Sequence, residues 1–131
     1  MKILVIEDNE QNLYLVRFLL GAHGHEISEA RSGPEGIAAA QAAPPDLVLL
    51  DIQLPQMDGY AVARALRANP ALTAVPIVAV TSYAMNGDRV RALSAGCDAY
   101  IEKPINPDTF PAQVQAAAVA GRQSPKAGGM S

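Results

Sequence analysis

The length, composition and charge of the chain exclude several classes of protein. The chain has 131 residues, 50% of them hydrophobic, and a formal net charge of −3. This length is enough for one domain with its own core, and the absence of a Lys/Arg cluster argues against a nucleic-acid partner. No apolar run is long enough for a transmembrane span or an export leader. The single cysteine, Cys97, excludes an intramolecular disulfide and suits a reducing compartment, so we expect a cytoplasmic protein without membrane insertion.

Five short segments predict the strands of a sheet. Residues 3–6, 47–50 and 76–80 are continuous aliphatic runs, a pattern typical of parallel strands that are buried on both faces. Residues 26–30 and 99–101 are shorter or less regular, and we interpret the former as an edge strand. Polar residues directly follow the first, third and fourth predicted strands. Polar side chains therefore lie where these parallel strands leave the core.

Helical patterns separate these strands. Asn9 is suited to cap a helix in which Leu13, Val16 and Leu20 share one face. Gly24 suits the left-handed turn that follows this helix. The alternation of strand and helix begins here.

Caps mark the next two helices. Ser32 and Glu35 have the spacing of a capping box, in which each side chain satisfies a backbone donor at the helix start. Asp58 is expected to cap the third helix.

The fourth and fifth helices have weaker patterns. We expect Val90 and Leu93 to face inward from the fourth helix, and the small polar segment 83–88 before it to be mobile. The last helix is predicted over residues 106–120, where Pro111 should kink or restart the first turn.

Strands that alternate with helices predict an α/β fold. We expect a three-layer (βα)5 sandwich with a doubly wound parallel sheet and the flavodoxin/CheY-like strand order 2-1-3-4-5. Residues 1–120 should form the single domain, and residues 121–131, which are rich in Gly, Ser, Pro and Lys, a disordered tail.

The predicted strand exits carry a matching set of functional groups. The first strand is followed by Glu7 and Asp8, the third by Asp51, the fourth by Thr81 and the fifth by Lys103. Carboxyl ends of parallel strands meet at one sheet edge, where ligands bind. Three carboxylates there suit a hard cation such as Mg²⁺, while a hydroxyl and an ammonium can bind phosphoryl oxygens. These groups predict phosphoryl transfer to a carboxylate.

The same segments resemble the receiver domain of the bacterial two-component response-regulator family. The matching stretches are residues 3–9, Asp51 with 54–55 and 57–59, Thr81-Ser82 and Lys103-Pro104. The resemblance runs from about residue 2 to residue 118, and the sequence is similar to the DivK-like group of stand-alone receivers.

The resemblance implies roles for the acidic residues. Asp51 would be the phosphoacceptor, supplied by a histidine kinase or a histidine phosphotransfer protein. Mg²⁺ would be held by Asp8, Asp51 and the backbone carbonyl of Gln53, with Glu7 helping directly or through water.

The resemblance also implies a switch. Thr81 and Lys103 would bind phosphoryl oxygens, and the Lys103-Pro104 bond would be cis. Thr81 and Tyr100 would then change the face formed by the fourth helix, fifth strand and last helix, where a downstream kinase or effector binds. We expect no turnover enzyme, only self-catalysed phosphotransfer and autodephosphorylation, in a monomer or weak dimer.

Three other interpretations of the function remain open at this point. A haloacid-dehalogenase-type phosphatase would want a second acid where Gln53 stands, and a flavodoxin-like carrier would want a Ser/Thr/Gly loop where residues 7–10 are acidic or amide. A receiver excised from a hybrid histidine kinase would share every motif; the Met1 directly before the first strand favours a complete small protein.

Overall fold

The computed structural model describes residues 1–54, 57–82 and 86–123, with side chains described outside 86–88 and 121–123. Strands and helices alternate along these residues. The strands are β1 (Lys2–Ile6), β2 (Glu26–Ala30), β3 (Leu47–Asp51), β4 (Ile77–Thr81) and β5 (Ala99–Glu102). The helices are α1 (Glu10–Gly21), α2 (Gly33–Ala42), α3 (Gly59–Arg67), α4 (Asn86–Ser94) and α5 (Phe110–Gln123), with a 3-10 turn at Pro70–Leu72. The predicted (βα)5 alternation is therefore confirmed.

The strands form one parallel sheet in the order β2-β1-β3-β4-β5, as predicted. The central strand β3 is buried along its whole length, because helices cover both of its faces. Register brings the strand ends level: Asp51 of β3 lies opposite Val80 of β4, and Thr81 lies opposite Glu102 of β5. The exits of β3, β4 and β5 therefore open at one edge.

Two apolar clusters lie on the two faces of the sheet. On one face, Ile3 and Val5 of β1 join Phe110 and Val114 of α5 and the buried stripe of α1. On the other, Leu4 of β1 joins buried residues of α2, α3 and α4. Alternate strand residues point to opposite faces, so the three-layer prediction holds. Within the described residues, no helix is long and apolar enough to cross a membrane.

Helix caps follow the sequence closely. Asn9 and Ser32 accept the N–H groups of Asn12 and Glu35, as expected for N-caps. The second half of the predicted capping box differs: the Glu35 carboxylate accepts the N–H of Arg31, one residue before the cap. Further along, Asp58 caps α3 at Tyr60, and Gly24 has the left-handed φ of +86°.

The predicted inner face of α4 is wrong. Val90 is 64% exposed and Leu93 45% exposed, whereas Ala92 and Ala95 are buried. Both pairs have the same three-residue spacing, so periodicity alone could not choose between them. The prediction chose the pair with the larger apolar side chains, and that choice was wrong. Small residues let α4 pack closely on the sheet. Of the segment 83–88, residues 83–85 lie outside the described part of the chain.

The last helix begins later than predicted. It starts at Phe110, after a turn in which Asn106 accepts the N–H groups of Thr109 and Phe110. Pro111 therefore lies in the first helical turn, where a missing N–H breaks no helical hydrogen bond. The helix extends to Gln123; residues 124–131 of the predicted tail lie outside the described residues.

One arginine joins two loops, the one before β4 and the one before β5, at the end of the sheet opposite the strand exits. The Arg67 guanidinium at the end of α3 donates to the carbonyl oxygen of Gly96 and, at 2.8 Å, to the Asp98 carboxylate. It also donates to the carbonyl oxygens of Leu72, Thr73 and Val75. Both charged side chains are largely buried. We call this group the Arg67 clamp; it holds the C-terminal end of α4 against α3.

We expect Arg67→Ala to destabilise the protein by about 3 kcal/mol, because removing one partner leaves a buried carboxylate without its cation. The measurement is the free energy of unfolding in urea. Arg64→Ala is the matched control: Arg64 is exposed on the same helix, and its loss should change that free energy by less than ~0.5 kcal/mol. Equal effects of the two substitutions would contradict the clamp.

Candidate functional site

The sheet edge brings together the side chains that the sequence analysis singled out. Asp51 ends β3 and Thr81 ends β4, while Glu7 and Lys103 directly follow β1 and β5. Oxygens of Glu7, Asp8 and Asp51 lie within 4.8 Å of one another. Because the strands are parallel and their ends are level, residues far apart in sequence converge here.

A single ammonium lies between two buried carboxylates. Lys103 Nζ is 3.2 Å from Glu7 Oε1 and 3.4 Å from Asp51 Oδ2, and the side chains of the three residues are 13%, 6% and 3% exposed. Charges this far from water need partners. One positive charge facing two acids leaves the cluster short of positive charge.

Glu7 shows the consequence. Burial, the hydrogen bond to Asp51 and the negative charge of Asp51 raise the pKa of Glu7 from 4.5 to about 7. The Lys103 ammonium and the backbone N–H of Asn9, which donates to Glu7 Oε2 at 3.2 Å, oppose this rise. Near neutral pH without a metal, Glu7 therefore retains a proton for a substantial fraction of the time.

The three acids are chemically suited to a hard divalent cation. Asp8 is exposed, whereas Glu7 and Asp51 are buried, so the oxygens extend from the floor of the site to solvent. Carboxylate oxygens are preferred ligands of such ions. A positive charge here would offset the burial and the repulsion by Asp51 that raise the pKa of Glu7. The cluster can hold a metal.

Gln53 does more than the sequence analysis expected. Its backbone N–H donates to Asp51 Oδ1 at 2.9 Å, and its side-chain Oε1 accepts the N–H of Ser82 at 3.1 Å. Only its backbone carbonyl was predicted to matter, as a metal ligand, and that role stays a prediction. The sequence shows a long amide two residues after Asp51, but not which neighbouring strand it reaches.

The two predicted switch residues occupy different surroundings. Thr81 is buried, with 1% exposure, at the site edge of β4. Tyr100 of β5 is half-buried and packs against the apolar cluster that includes Ala92 of α4 and Ala95, which directly follows that helix. Tyr100 therefore packs on the face of the sheet that α4 also covers. The Lys103-Pro104 bond is cis, as expected.

The chain is similar to known proteins in sequence and in fold. The family model described as "Response regulator receiver domain" matches residues 3–115. The polar-differentiation response regulator DivK of Brucella ovis is 44% identical over 108 residues, which are 82% of this chain and 88% of that protein.

Solved structures agree with this match. The BeF3-activated N-terminal receiver domain of Klebsiella pneumoniae RstA is 30% identical, with a TM-score of 0.82 over 90% of this chain and 98% of that chain. The Mn(2+)-bound form of the response regulator Rcp1 is 28% identical, with a TM-score of 0.75 over 88% of this chain and 89% of that chain. The family model and the DivK match favour neither the carrier nor the dehalogenase-type phosphatase. The chain belongs to the response regulator receiver domain family.

Proposed function

We propose that the protein is a single-domain response regulator in which Asp51 accepts a phosphoryl group. The observation that carries this is the placement of the Asp51 carboxylate: buried at the end of β3, 3.4 Å from an ammonium and bonded by a backbone N–H. One carboxylate oxygen would attack phosphorus while the bond between phosphorus and the donor's imidazole nitrogen breaks. The electron pair returns to that nitrogen.

Mg²⁺ is the proposed resident cation. Asp8, Asp51 and the Gln53 backbone carbonyl would hold it, with Glu7 helping directly or through water; the acidic cluster supports this, as does Mn²⁺ binding by the related Rcp1. When bound, the ion would neutralise charge on the transferring phosphoryl group. Glu7 would then lose the proton that burial and the neighbouring Asp51 favour.

Lys103 and Thr81 would bind phosphoryl oxygens. The Lys103 ammonium already lies 3.4 Å from Asp51 Oδ2, so it would stay in place and donate to an oxygen of the new group. Thr81 ends the neighbouring strand and can offer its hydroxyl. Charge-assisted hydrogen bonds of this kind are roughly twice as strong as neutral ones.

The protein would act as a phosphoryl relay rather than a turnover enzyme. Family membership implies a histidine kinase or a histidine phosphotransfer protein as phosphoryl donor. We propose that the transfer takes place in the cytoplasm, that this chain catalyses it and its own dephosphorylation, and that a downstream kinase or effector reads the state of Asp51.

The proposed output face is formed by α4, β5 and α5. The exposed aliphatic side chains of Val90 and Leu93 on α4, and of Val119 on α5, support it, because large exposed apolar groups favour a partner surface. Half-buried Tyr100 lies on the strand between these helices and can change its exposure. Thr81 would couple the phosphoryl group to this change.

We expect one phosphoryl group to be added when the protein is incubated with acetyl phosphate and Mg²⁺, measured by intact mass. Asp51→Asn should gain none, since the nucleophilic oxygen is lost with little change in shape, and EDTA should abolish labelling of the wild type. Asp46→Asn is the control, because Asp46 lies near the opposite end of β3; it should be labelled normally. Equal labelling of Asp51→Asn would overturn the assignment.

The proposed switch from Asp51 to Tyr100 can be tested by comparing amide chemical shifts with and without beryllofluoride in Mg²⁺. We expect changes around Asp51, at Tyr100 and over residues 89–95. In Thr81→Ala, the changes around Asp51 should persist while the distant ones largely disappear, because the coupling hydroxyl is missing. Thr73→Ala, an exposed control, should behave as wild type. Distant changes that survive intact in Thr81→Ala would refute this route.

A further inference from the structure

Gln53 connects the acceptor strand to its neighbour through two hydrogen bonds. Its backbone N–H donates to Asp51 Oδ1 at 2.9 Å, and its carboxamide oxygen accepts the N–H of Ser82 at 3.1 Å. Because the partner is an N–H donor, the atom that faces it must be the amide oxygen. The side chain therefore links the exit of β3 to the exit of β4.

The Ser82 N–H is a donor at the place where a phosphoryl group would arrive. Ser82 directly follows Thr81, and β4 is paired with β3 up to Asp51. A neutral amide oxygen occupies this donor in the structure. A phosphoryl group carries up to two negative charges and three acceptor oxygens, so it is the stronger acceptor for the same N–H.

We propose that the Gln53 carboxamide is a latch that holds the β4 exit in its resting position and competes with the phosphoryl group on Asp51 for the Ser82 N–H. This inference rests on the proposed function of Asp51. Gln53 acts as a positioning residue: it stabilises the resting arrangement and thereby weakens the phosphorylated one. The phosphorylated state forms when its oxygens displace the amide oxygen from Ser82.

The latch has a direct consequence for affinity. Removing an interaction made only in the resting state shifts the equilibrium toward the state that a phosphoryl mimic prefers. A hydrogen bond of ordinary net strength corresponds to an increase in beryllofluoride affinity of about 2- to 10-fold. The direction of the change in beryllofluoride affinity is the informative result, because loss of a residue that supports phosphoryl binding would lower the affinity instead.

The test compares Gln53→Met, which keeps the length of the side chain but has no comparable acceptor, with Gln53→Glu, which keeps an oxygen acceptor. Gln41→Met is the matched control, since Gln41 is exposed on α2. The first readout needs neither metal nor phosphoryl mimic: the amide proton shift and hydrogen-exchange rate of Ser82. The second is the affinity for beryllofluoride in Mg²⁺.

In Gln53→Met, we expect the Ser82 amide proton to move upfield and exchange several-fold faster, and the beryllofluoride affinity to rise. In Gln53→Glu, the Ser82 amide proton should keep an acceptor and not move upfield, since a charged oxygen accepts more strongly than a neutral one. The added negative charge should lower the beryllofluoride affinity. An unchanged Ser82 amide in Gln53→Met, or an unchanged or lower affinity of that variant, would overturn the latch. If the wild type itself bound no beryllofluoride, the proposed function of Asp51 would fail, while the Ser82 readout would still judge the resting hydrogen bond.

Discussion

The Lys103 ammonium, held between the buried carboxylates of Glu7 and Asp51 at 3.2 and 3.4 Å, is the interaction on which the rest of the site depends. Two acids at the floor of an apolar sheet edge cannot both be charged without nearby positive charge. The single positive charge of Lys103 balances only one of these two carboxylates. Burial, the hydrogen bond to Asp51 and the negative charge of Asp51 together raise the pKa of Glu7. The same cluster of acids favours a cation, which a site for phosphoryl transfer also requires. Parallel strands with level exits make this arrangement possible.

Much of this could be predicted from the sequence, because the determinants are local or topological. Apolar runs define buried strands, and parallel strands bring Asp51 and Lys103 to one edge without any knowledge of side-chain packing. The inner face of α4 could not be predicted, since Val90/Leu93 and Ala92/Ala95 share one helical spacing and only the distance between helix and sheet decides between them. The side-chain bond from Gln53 to Ser82 also depends on geometry between strands that no local pattern encodes.

The two ends of the β4–α4–β5 region are held in different ways. At one end, the Arg67 clamp fixes Gly96 and Asp98 through buried charged hydrogen bonds. At the other, the Ser82 N–H donates a neutral hydrogen bond to the side-chain oxygen of Gln53. Under our proposal, a phosphoryl group at Asp51 would displace the weaker bond, whereas the clamp lies at the opposite end of the sheet and would stay intact. In the proposed switch, the exit of β4 would change while the Arg67 clamp keeps the C-terminal end of α4 fixed.

The central claim is that the acids at the sheet edge have too little positive charge until a cation binds. Titration of the Glu7 carboxyl carbon by ¹³C NMR, with and without saturating Mg²⁺, tests it most directly. We expect a pKa of Glu7 near 7 in the metal-free protein, because burial and Asp51 favour the protonated form, and a pKa well below this with Mg²⁺. A Glu7 pKa that stays near the ordinary 4.5 in both conditions would contradict it.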